Sequence, residues 1–183
     1  RMAPKFGAVK RANVVRDNSS FKRNLNIYVV SENRNGFLTT TPTTVKENLK
    51  TWLNHYRMIN DTIDILDGKV VNIGIEFELI SKLESNSTDV LNKAISALQD
   101  YYSNKLLMGT PFYISEIYQV LNDITEVVDT KNVKIVNKFG AGYSDSSYEI
   151  ESNISADGRF IFVPEDTVLE IRYPNVDIIG VVE

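Results

Sequence analysis

The stretch VNIGIEFEL at residues 71–79 decides the fold class of this 183-residue chain. Apolar side chains stand at every second position from Val71 to Leu79, with polar or small residues between them. A period of two is typical of a β-strand that has one face on a core and the other face towards solvent. We therefore predict a strand here whose apolar face covers a core.

Two amphipathic helices supply partners for such a face. The first runs from Thr44 to about Met58, and Glu47 three residues after Thr44 predicts a capping box at its start. The second begins near Ser87 and is the best amphipathic helix of the chain. A shorter third helix is predicted at about residues 115–124. The apolar stripes of the first two helices predict that each buries one face; they comprise Val45, Leu49, Trp52, Leu53 and Tyr56, and Val90, Leu91, Ala94, Ile95, Leu98, Tyr101 and Tyr102.

These elements predict an α+β fold. The order β-β-α-β-β-α-α-β over residues 1–138 favours a mostly antiparallel sheet with helices on one face, a ferredoxin-like sandwich. Asp67-Gly68 is typical of a two-residue hairpin turn. Residues 139–158 are rich in Gly, Ser, Tyr and Asp and predict a loop. Residues 159–183 predict a small β-rich C-terminal subdomain.

Composition excludes several kinds of site. The chain has no Cys and one His, which excludes a disulfide scaffold, a thiolate nucleophile, an iron–sulfur cluster and a multi-His metal site. No apolar run reaches the ~18 residues of a membrane span. We therefore expect no cofactor, no metal and no membrane partner.

Charge is unevenly spread along the chain. Net charge is −4, yet residues 1–24 carry seven Lys or Arg and one Asp. One interpretation is an arm that binds nucleic-acid phosphates. The other is a strand at one edge of the fold, facing an acidic neighbour. We favour the second, because Phe6, Val9, Val14 and Val15 alternate with the basic residues and no aromatic platform for bases is visible.

Candidate catalytic groups lack the context that their chemistry needs. Glu76 and Glu78 share one strand face, as an acid–base pair would, but nothing in the sequence predicts their burial. The turn residues Asp61, Asp64 and Asp67 lack the Gly and Glu of a calcium loop.

Two further patterns fail in the same way. Ser144 is not in a nucleophile-elbow sequence that could work with His55 and Asp145. No helix opens after Gly140-Ala141-Gly142, so the geometry of a dinucleotide site is missing. We therefore predict that the chain is not an enzyme and has no small-molecule substrate.

Aromatic and apolar side chains near the C-terminus suggest a protein–protein interface. The chain has nine Tyr and eight Phe, and Tyr is enriched in interfaces because it covers much area with few rotors. An uncovered strand edge also pairs readily with another copy. Our candidate interface residues are Tyr143, Tyr148, Phe160, Phe162, Ile178, Ile179 and Val181.

From about residue 5 to residue 138, the chain resembles the C-terminal region of baseplate wedge proteins of contractile-tailed, T-even-like bacteriophages, the baseplate J-like family. Glu126 before Val127 departs from the family, which often has Gly there. The residues that carry the resemblance are KFGAVKR at 5–11, NIYVVS at 26–31, Leu49, Leu53, Tyr56 and Arg57 in the first helix, the strand at 71–79, Tyr101-Tyr102, Gly109, and Ser115-Glu116-Ile117.

The resemblance implies a structural role in the virion. Such proteins join baseplate wedges into a ring, pair with copies of themselves, contact other wedge subunits and catalyse nothing. It implies a virion protein of the tail baseplate, assembled in the host cytoplasm, with a homodimer as one state. Arg1 before Met2 leads us to expect a fragment of a longer polypeptide, and the β-rich 159–183 resembles the extra strands of the larger wedge subunits.

Overall fold

The computed structural model describes residues 7–17, 23–58 and 61–183. The described chain is a mixed α+β structure, which confirms the predicted fold class. Its helices are α1 (Thr43–Asn54), α2 (Ser87–Tyr102), α3 (Ile114–Asn122) and α4 (Pro174–Asp177). Its strands are β1 (Arg11–Arg16), β2 (Arg23–Glu32), β3 (Leu38–Thr40), β4 (Asp61–Asp67), β5 (Lys69–Ser81), β6 (Phe112–Tyr113), β7 (Val127–Lys138), β8 (Phe160–Ile161), β9 (Thr167–Glu170) and β10 (Ile178–Val182).

Strand β5 contains the alternating stretch 71–79 and is the middle strand of a four-stranded sheet, called the central sheet below. β7 pairs antiparallel with one edge of β5, and β9 and β10 pair parallel with the other. Ile75, for example, lies between Ile135 of β7 and Ile178 of β10. The odd-numbered apolar side chains of the stretch are at most 3% exposed, whereas Glu76 and Glu78 are half-buried. The predicted apolar core face is therefore confirmed, whereas the opposite face is only partly exposed, because Asn72 and Gly74 are buried as well.

The strands after residue 159 do not form a sheet of their own around a separate core, and this corrects the expected β-rich subdomain. β9 begins at Thr167 beside Lys69, and β10 continues along the same edge of β5 to Leu79. The reason is the length of β5, which has 13 residues. β7 pairs with most of one edge, and the other edge is completed by two short strands from the end of the chain.

Strand β2 is the middle of a second four-stranded sheet, called the N-terminal sheet below. β1 pairs with one edge of β2, and β3 and β4 pair with the other, since Val30 lies opposite both Arg11 and Thr40. β6 and β8 form a two-stranded sheet. The described strands therefore divide among three sheets where a single one was expected, and the ferredoxin-like arrangement is not confirmed.

The hairpin predicted at Asp67-Gly68 is wrong. β4 pairs with β2 and not with β5, so the chain passes directly from the N-terminal sheet into the central sheet at Gly68. A Cβ at Gly68 would lie 2.5 Å from Met108 Cε and 2.7 Å from Val30 Cγ2. Glycine is needed here because two other segments approach the backbone closely, not because the chain turns back.

Helices α2 and α3 cover the apolar face of β5. The side chain of Asn86 caps α2 by accepting a hydrogen bond from the Thr88 N–H at 3.0 Å. Each fully buried aliphatic side chain of this layer stabilises the fold by about 1.5–3 kcal/mol. The buried face predicted for α2 is confirmed, and the buried residues of the two helices are Val90, Ala94, Leu98, Tyr102, Ile114, Ile117 and Leu121.

Helix α1 differs from its prediction at both its start and its face. It begins at Thr43 after Pro42, and no side chain caps it, so the predicted capping box is not formed. Thr44 lies inside the first turn, two positions after the N-cap residue Pro42, so it cannot act as the cap. None of its residues is buried, and Tyr56 lies beyond its end and is 71% exposed. The expected buried face of this helix is therefore only half-covered among the described residues.

Candidate functional site

The candidate interface residues lie in three separate parts of the structure. One belongs to a buried polar network at the end of the central sheet. Three surround the two-stranded sheet of β6 and β8, and three lie on β10. In that order these are Tyr143, then Tyr148, Phe160 and Phe162, then Ile178, Ile179 and Val181.

The polar network begins at Glu170, the last residue of β9, which is 8% exposed. Its Oε1 accepts the Leu38 N–H at 2.6 Å, and its Oε2 accepts from Asn72 Nδ2 at 2.7 Å and from Arg172 Nε at 3.2 Å. The Arg172 guanidinium also donates to the carbonyls of Gly142 at 2.8 Å and Leu38 at 3.2 Å. The buried carboxylate and guanidinium are therefore both paired, and they join β3 to the central sheet.

Asp177 forms the second half of this network and is fully buried. Its Oδ1 accepts the Tyr143 hydroxyl at 2.6 Å, and its Oδ2 accepts the Tyr173 N–H at 2.7 Å. The hydrogen bond to Asp177 raises the pKa of Tyr143 to about 12. Asn72 Oδ1 accepts the Ser144 N–H at 2.7 Å. The loop that follows β7 is thereby attached both to β5 and to the residue that precedes β10.

The two carboxylates, the Asn72 amide and the Arg172 guanidinium are paired with one another or with neighbouring groups of the chain, so the chemistry of the network is that of attachment. Among the described residues, no group of three or more His, Asp or Glu is placed to hold a metal ion. Sequence reasoning missed Asn72, Glu170 and Asp177 as members of a network. The only signal for them is a polar residue inside each of three apolar β-type stretches.

Three of the candidate interface residues form an aromatic cluster with Tyr113. The ring centroids of Phe160 and Phe162 are 4.9 Å apart, and those of Tyr113 and Phe160 are 5.9 Å apart. The Tyr148 hydroxyl donates to the Phe162 carbonyl at 2.6 Å, and burial raises the pKa of Tyr148. Phe162 is 56% exposed. The structure thus brings these residues together on the surface, and their role in an interface stays a prediction.

The side chains of β10 point alternately to the core and to the surface. Ile178 is 2% exposed and belongs to the core, which corrects its place among the interface side chains. Ile179 and Val181 are 49% and 57% exposed on the face of the sheet away from α2 and α3. A Cβ at Gly180 would lie 2.3 Å from the Phe77 ring, so this position of β10 admits only glycine without a shift of the ring.

The backbone of β10 leaves one edge of the central sheet open. The Glu183 N–H donates to the Leu79 carbonyl at 2.9 Å, and the Glu183 carbonyl accepts the Ser81 N–H at 3.0 Å. Backbone polar groups alternate between the two edges of a strand. The groups of Gly180 and Val182 therefore point away from β5, and no described strand pairs with them.

The other long edge strands carry charges that discourage strand addition. β1 has Arg11 and Arg16, β4 has Asp64 and Asp67, and β7 has several lysines and two register shifts against β5. Charges, bulges and prolines are the devices by which proteins protect sheet edges. β10 reads IIGVV and has none of them. Among the described edge strands of five or more residues, it is the unprotected one.

Part of the basic segment 1–24 lies outside the described residues, including Arg1, Lys5, Phe6 and Lys22. The strand predicted in this segment is confirmed as β1. Lys10 Nζ lies 2.8 Å from Glu32 Oε2, and Arg11 Nε donates to the Leu106 carbonyl at 3.0 Å. These two cations are therefore engaged within the chain. Nucleic-acid binding by the segment stays a prediction.

The candidate catalytic residues do not converge. Glu76 lies opposite Lys134 in the sheet register, and Glu78 lies opposite Asn132. His55 follows α1 at the surface and makes no hydrogen bond to Ser144, whose backbone binds β5. That the chain is not an enzyme stays a prediction.

The aspartates of β4 bind lysines of α1. Asp64 and Asp67 lie 3.5 Å and 2.7 Å from Lys50 and Lys46, and these pairs hold α1 on the N-terminal sheet. The side chain of Asp61 is outside the described part of the structure.

A groove of about 250 Å³ separates the C-terminal end of α2 from β9. Its two carboxylates, those of Glu32 and Glu170, are already paired with Lys10 and Arg172. The volume lies below the ~300–1,000 Å³ of ordinary ligand pockets. The groove therefore adds no candidate for a small-molecule site.

In the described ranges, none of the helices combines the length and the hydropathy that crossing a membrane requires. No family model matches the chain, and no curated protein matches it.

Proposed function

We propose that this chain is a structural subunit of a contractile phage tail, part of a baseplate wedge that joins wedges into a ring by self-association and by contacts with other wedge subunits. The order of elements that carries the resemblance to baseplate J-like proteins supports the proposal. Its segments at 26–31, 71–79 and 115–117 lie in β2, β5 and α3. In this proposal the chain acts in the virion, is assembled in the host cytoplasm and catalyses no reaction.

The observation that carries the proposal is the unprotected edge at β10. Its outward backbone groups at Gly180 and Val182 pair with none of the described strands, and Ile179 and Val181 beside them are exposed. A free, uncharged, apolar strand is a template for pairing with another chain. Such an edge is useful in a protein that assembles with other subunits, whereas in a monomeric protein it promotes aggregation.

Sedimentation velocity over a range of concentrations tests the proposal. We expect reversible association that follows mass action, because a specific contact buries at least ~1,000 Å². The change Val181→Lys weakens it by placing a charge on the edge strand. Val14→Lys is the matched control, since Val14 is 56% exposed on the edge strand β1 of the other sheet. A chain that stays monomeric at every concentration contradicts self-association.

A DNA- and RNA-retention assay at ~50 mM salt separates the proposal from the nucleic-acid alternative. Phosphate contacts weaken steeply as salt rises. The proposal expects no salt-dependent retention by the intact chain. Retention that is lost with added salt, and that does not change in Val181→Lys, would instead favour a basic arm.

A further inference from the structure

We infer that two copies of this chain pair through antiparallel β10 strands about a twofold axis beside Val181, so that the two central sheets become one continuous sheet. This inference rests on the self-association proposed above and specifies its geometry. The strand order across the axis is β7-β5-β10, then β10-β5-β7 of the second copy. Helices α2 and α3 of both copies lie on the same face of that sheet.

The hydrogen-bonding register follows from the backbone groups that point outward. In an antiparallel pair, residues that exchange two N–H···O=C bonds must both turn these groups to the neighbour. Gly180 and Val182 do so. Placing Gly180 opposite Val182 of the second copy, and the reverse, forms four hydrogen bonds and uses every outward group of both residues. Val181 then lies opposite its own copy.

Neighbouring registers leave an outward group of Gly180 or Val182 without a partner in β10. If Gly180 lay opposite itself, Val182 would face Ile178, whose N–H is already bound to the Pro174 carbonyl. If Val182 lay opposite Val182 of the second copy, Gly180 would have no partner within β10, which spans Ile178–Val182. Unpaired backbone groups in a buried contact cost about 1–3 kcal/mol each. We therefore favour the register centred on Val181, which pairs every outward group of Gly180 and Val182 within β10.

Charge also favours a second copy over β10 rather than over another edge. Two copies of β10 meet without any like charges, because residues 178–182 are Ile, Gly and Val. Symmetric pairing of two β1 strands would gather two copies of Arg11 and Arg16 along one contact, and that of two β4 strands would gather two copies of Asp64 and Asp67. Like charges that meet across a strand pair destabilise it.

Helix α2 supplies a second layer to the contact. A Cβ at Gly180 would lie 2.8 Å from Leu91 Cδ1, so Leu91 of α2 lies directly over the edge strand. Gln99, two turns later on the same side of α2, donates to the Asn175 side chain just before β10. Leu91 and Ile95 are half-buried. A copy on the edge therefore covers this row as well, which a stable dimer needs because one short strand pair buries little area.

Cysteine cross-linking tests the register, and the absence of native Cys makes the background clean. In Val181→Cys, the two thiols lie on one face of a non-hydrogen-bonded pair with Cα atoms about 4.5 Å apart, which a disulfide can span. The matched variant is Ile179→Cys, on the same face of the same strand and similarly exposed. Its two Cα atoms are roughly 14 Å apart in this register, beyond disulfide reach.

Under mild oxidation at a concentration where the chain associates, we expect at least about tenfold more covalent dimer from Val181→Cys than from Ile179→Cys. Association without a Val181→Cys cross-link overturns the register and leaves the proposed function standing. A cross-link only in the double variant Ile179→Cys/Val181→Cys assigns the register centred on Gly180 and also overturns the inference. A chain that is monomeric by sedimentation contradicts the self-association on which the inference rests.

Discussion

The two edges of the central sheet differ in how they end. On one side, β7 runs along β5 for 12 residues, carries lysines on its surface and shifts register twice. On the other side, β9 and β10 share the edge, and β10 ends it with five uncharged residues. Charges and irregular register block the addition of a strand, whereas a regular apolar strand invites it. The difference teaches that the chain protects one edge of the central sheet against strand addition and leaves the other edge available for it.

The β9/β10 edge of the central sheet, which is left available, is also the edge whose strands are held in place by buried side-chain contacts. Glu170 and Asp177 stand at the ends of β9 and α4, and both are buried in the polar network. Among the described residues, β7 takes part in no comparable network, and a long ladder with β5 holds it in place. Short strands form few ladder bonds, so β9 and β10 depend on buried side-chain contacts for their position.

The largest effect is expected at Glu170. Glu170→Ala leaves the Arg172 guanidinium, the Asn72 amide and the Leu38 N–H without their buried acceptor. Removing one partner of a buried ion pair lowers the free energy of unfolding by about 3–5 kcal/mol, measurable by urea denaturation. Glu78→Ala, on the open face of β5, is the control and should change it by no more than about 0.5 kcal/mol. Equal losses in the two variants would contradict the attachment role of the network.

A smaller loss of folding stability is expected when Gly180 is replaced. Gly180→Val places side-chain atoms where the Phe77 ring lies, and overpacking of this kind lowers the free energy of unfolding by about 1–3 kcal/mol. Because the clash displaces β10 from β5, association should weaken as well. The control Gly158→Val tests a surface turn, where no atom lies within 4 Å of an added Cβ. The positive φ of 69° at Gly158 adds backbone strain when valine replaces glycine. The free energy of unfolding of this control therefore falls too, but its association should stay unchanged.

Tyr143 gives a pH-dependent test of the same attachment. Its pKa rises from 10.0 to about 12 in the folded chain, chiefly through the hydrogen bond to Asp177. A raised pKa means that the folded state favours the protonated phenol. The contribution to stability is complete below pH 10 and is lost as the pH rises through about 12.

Tyr143→Phe should lower the free energy of unfolding by about 1 kcal/mol at neutral pH. Between pH 10 and pH 12, the free energy of unfolding of Tyr143→Phe should also fall less steeply than that of the parent chain. Chemical denaturation at several pH values measures both. Tyr56→Phe is the control, because Tyr56 is 71% exposed. Parallel pH curves for the parent and Tyr143→Phe would contradict the assigned role of the hydrogen bond.

The smallest change in stability is expected at the protected edge. Lys134→Val removes an exposed charge from β7 and should alter the free energy of unfolding by no more than about 0.5 kcal/mol. In the double variant Val181→Lys/Lys134→Val, the first change blocks the β10 edge. We expect the second change to restore concentration-dependent association through β7. Lys134→Arg keeps the charge and should not. Sedimentation of the two double variants distinguishes these outcomes, and equal behaviour would show that charge does not protect β7.

The sequence predicts well those elements whose signal is local. The period of two at 71–79 and the stripe of α2 both depend on burying one face, and each is long enough to be unambiguous. Asp67-Gly68 shows the limit of local signals. Its sequence is typical of a hairpin, yet glycine is needed there because Met108 and Val30 from distant segments lie close to its backbone. Residue type alone does not record such an approach.

The site was predicted only in part, for the same reason. The apolar run at 178–182 indicated an interface, but which of its residues face the core depends on pairing with β5. The polar network joins Asn72 to Glu170, which are 98 positions apart. The local signal at each is a polar residue inside an apolar stretch, and it does not identify the partner. Long-range pairing is the information that the sequence pattern lacks.

Hydrogen exchange at the amides of β10 tests the central claim most directly. The amides of Ile179 and Val181 face β5, whereas those of Gly180 and Val182 face the open edge. We predict that protection of Gly180 and Val182 rises with protein concentration, while Ile179 and Val181 are protected throughout. Exchange at Gly180 and Val182 that is fast and equal at all concentrations would contradict the claim that this edge is covered by another copy.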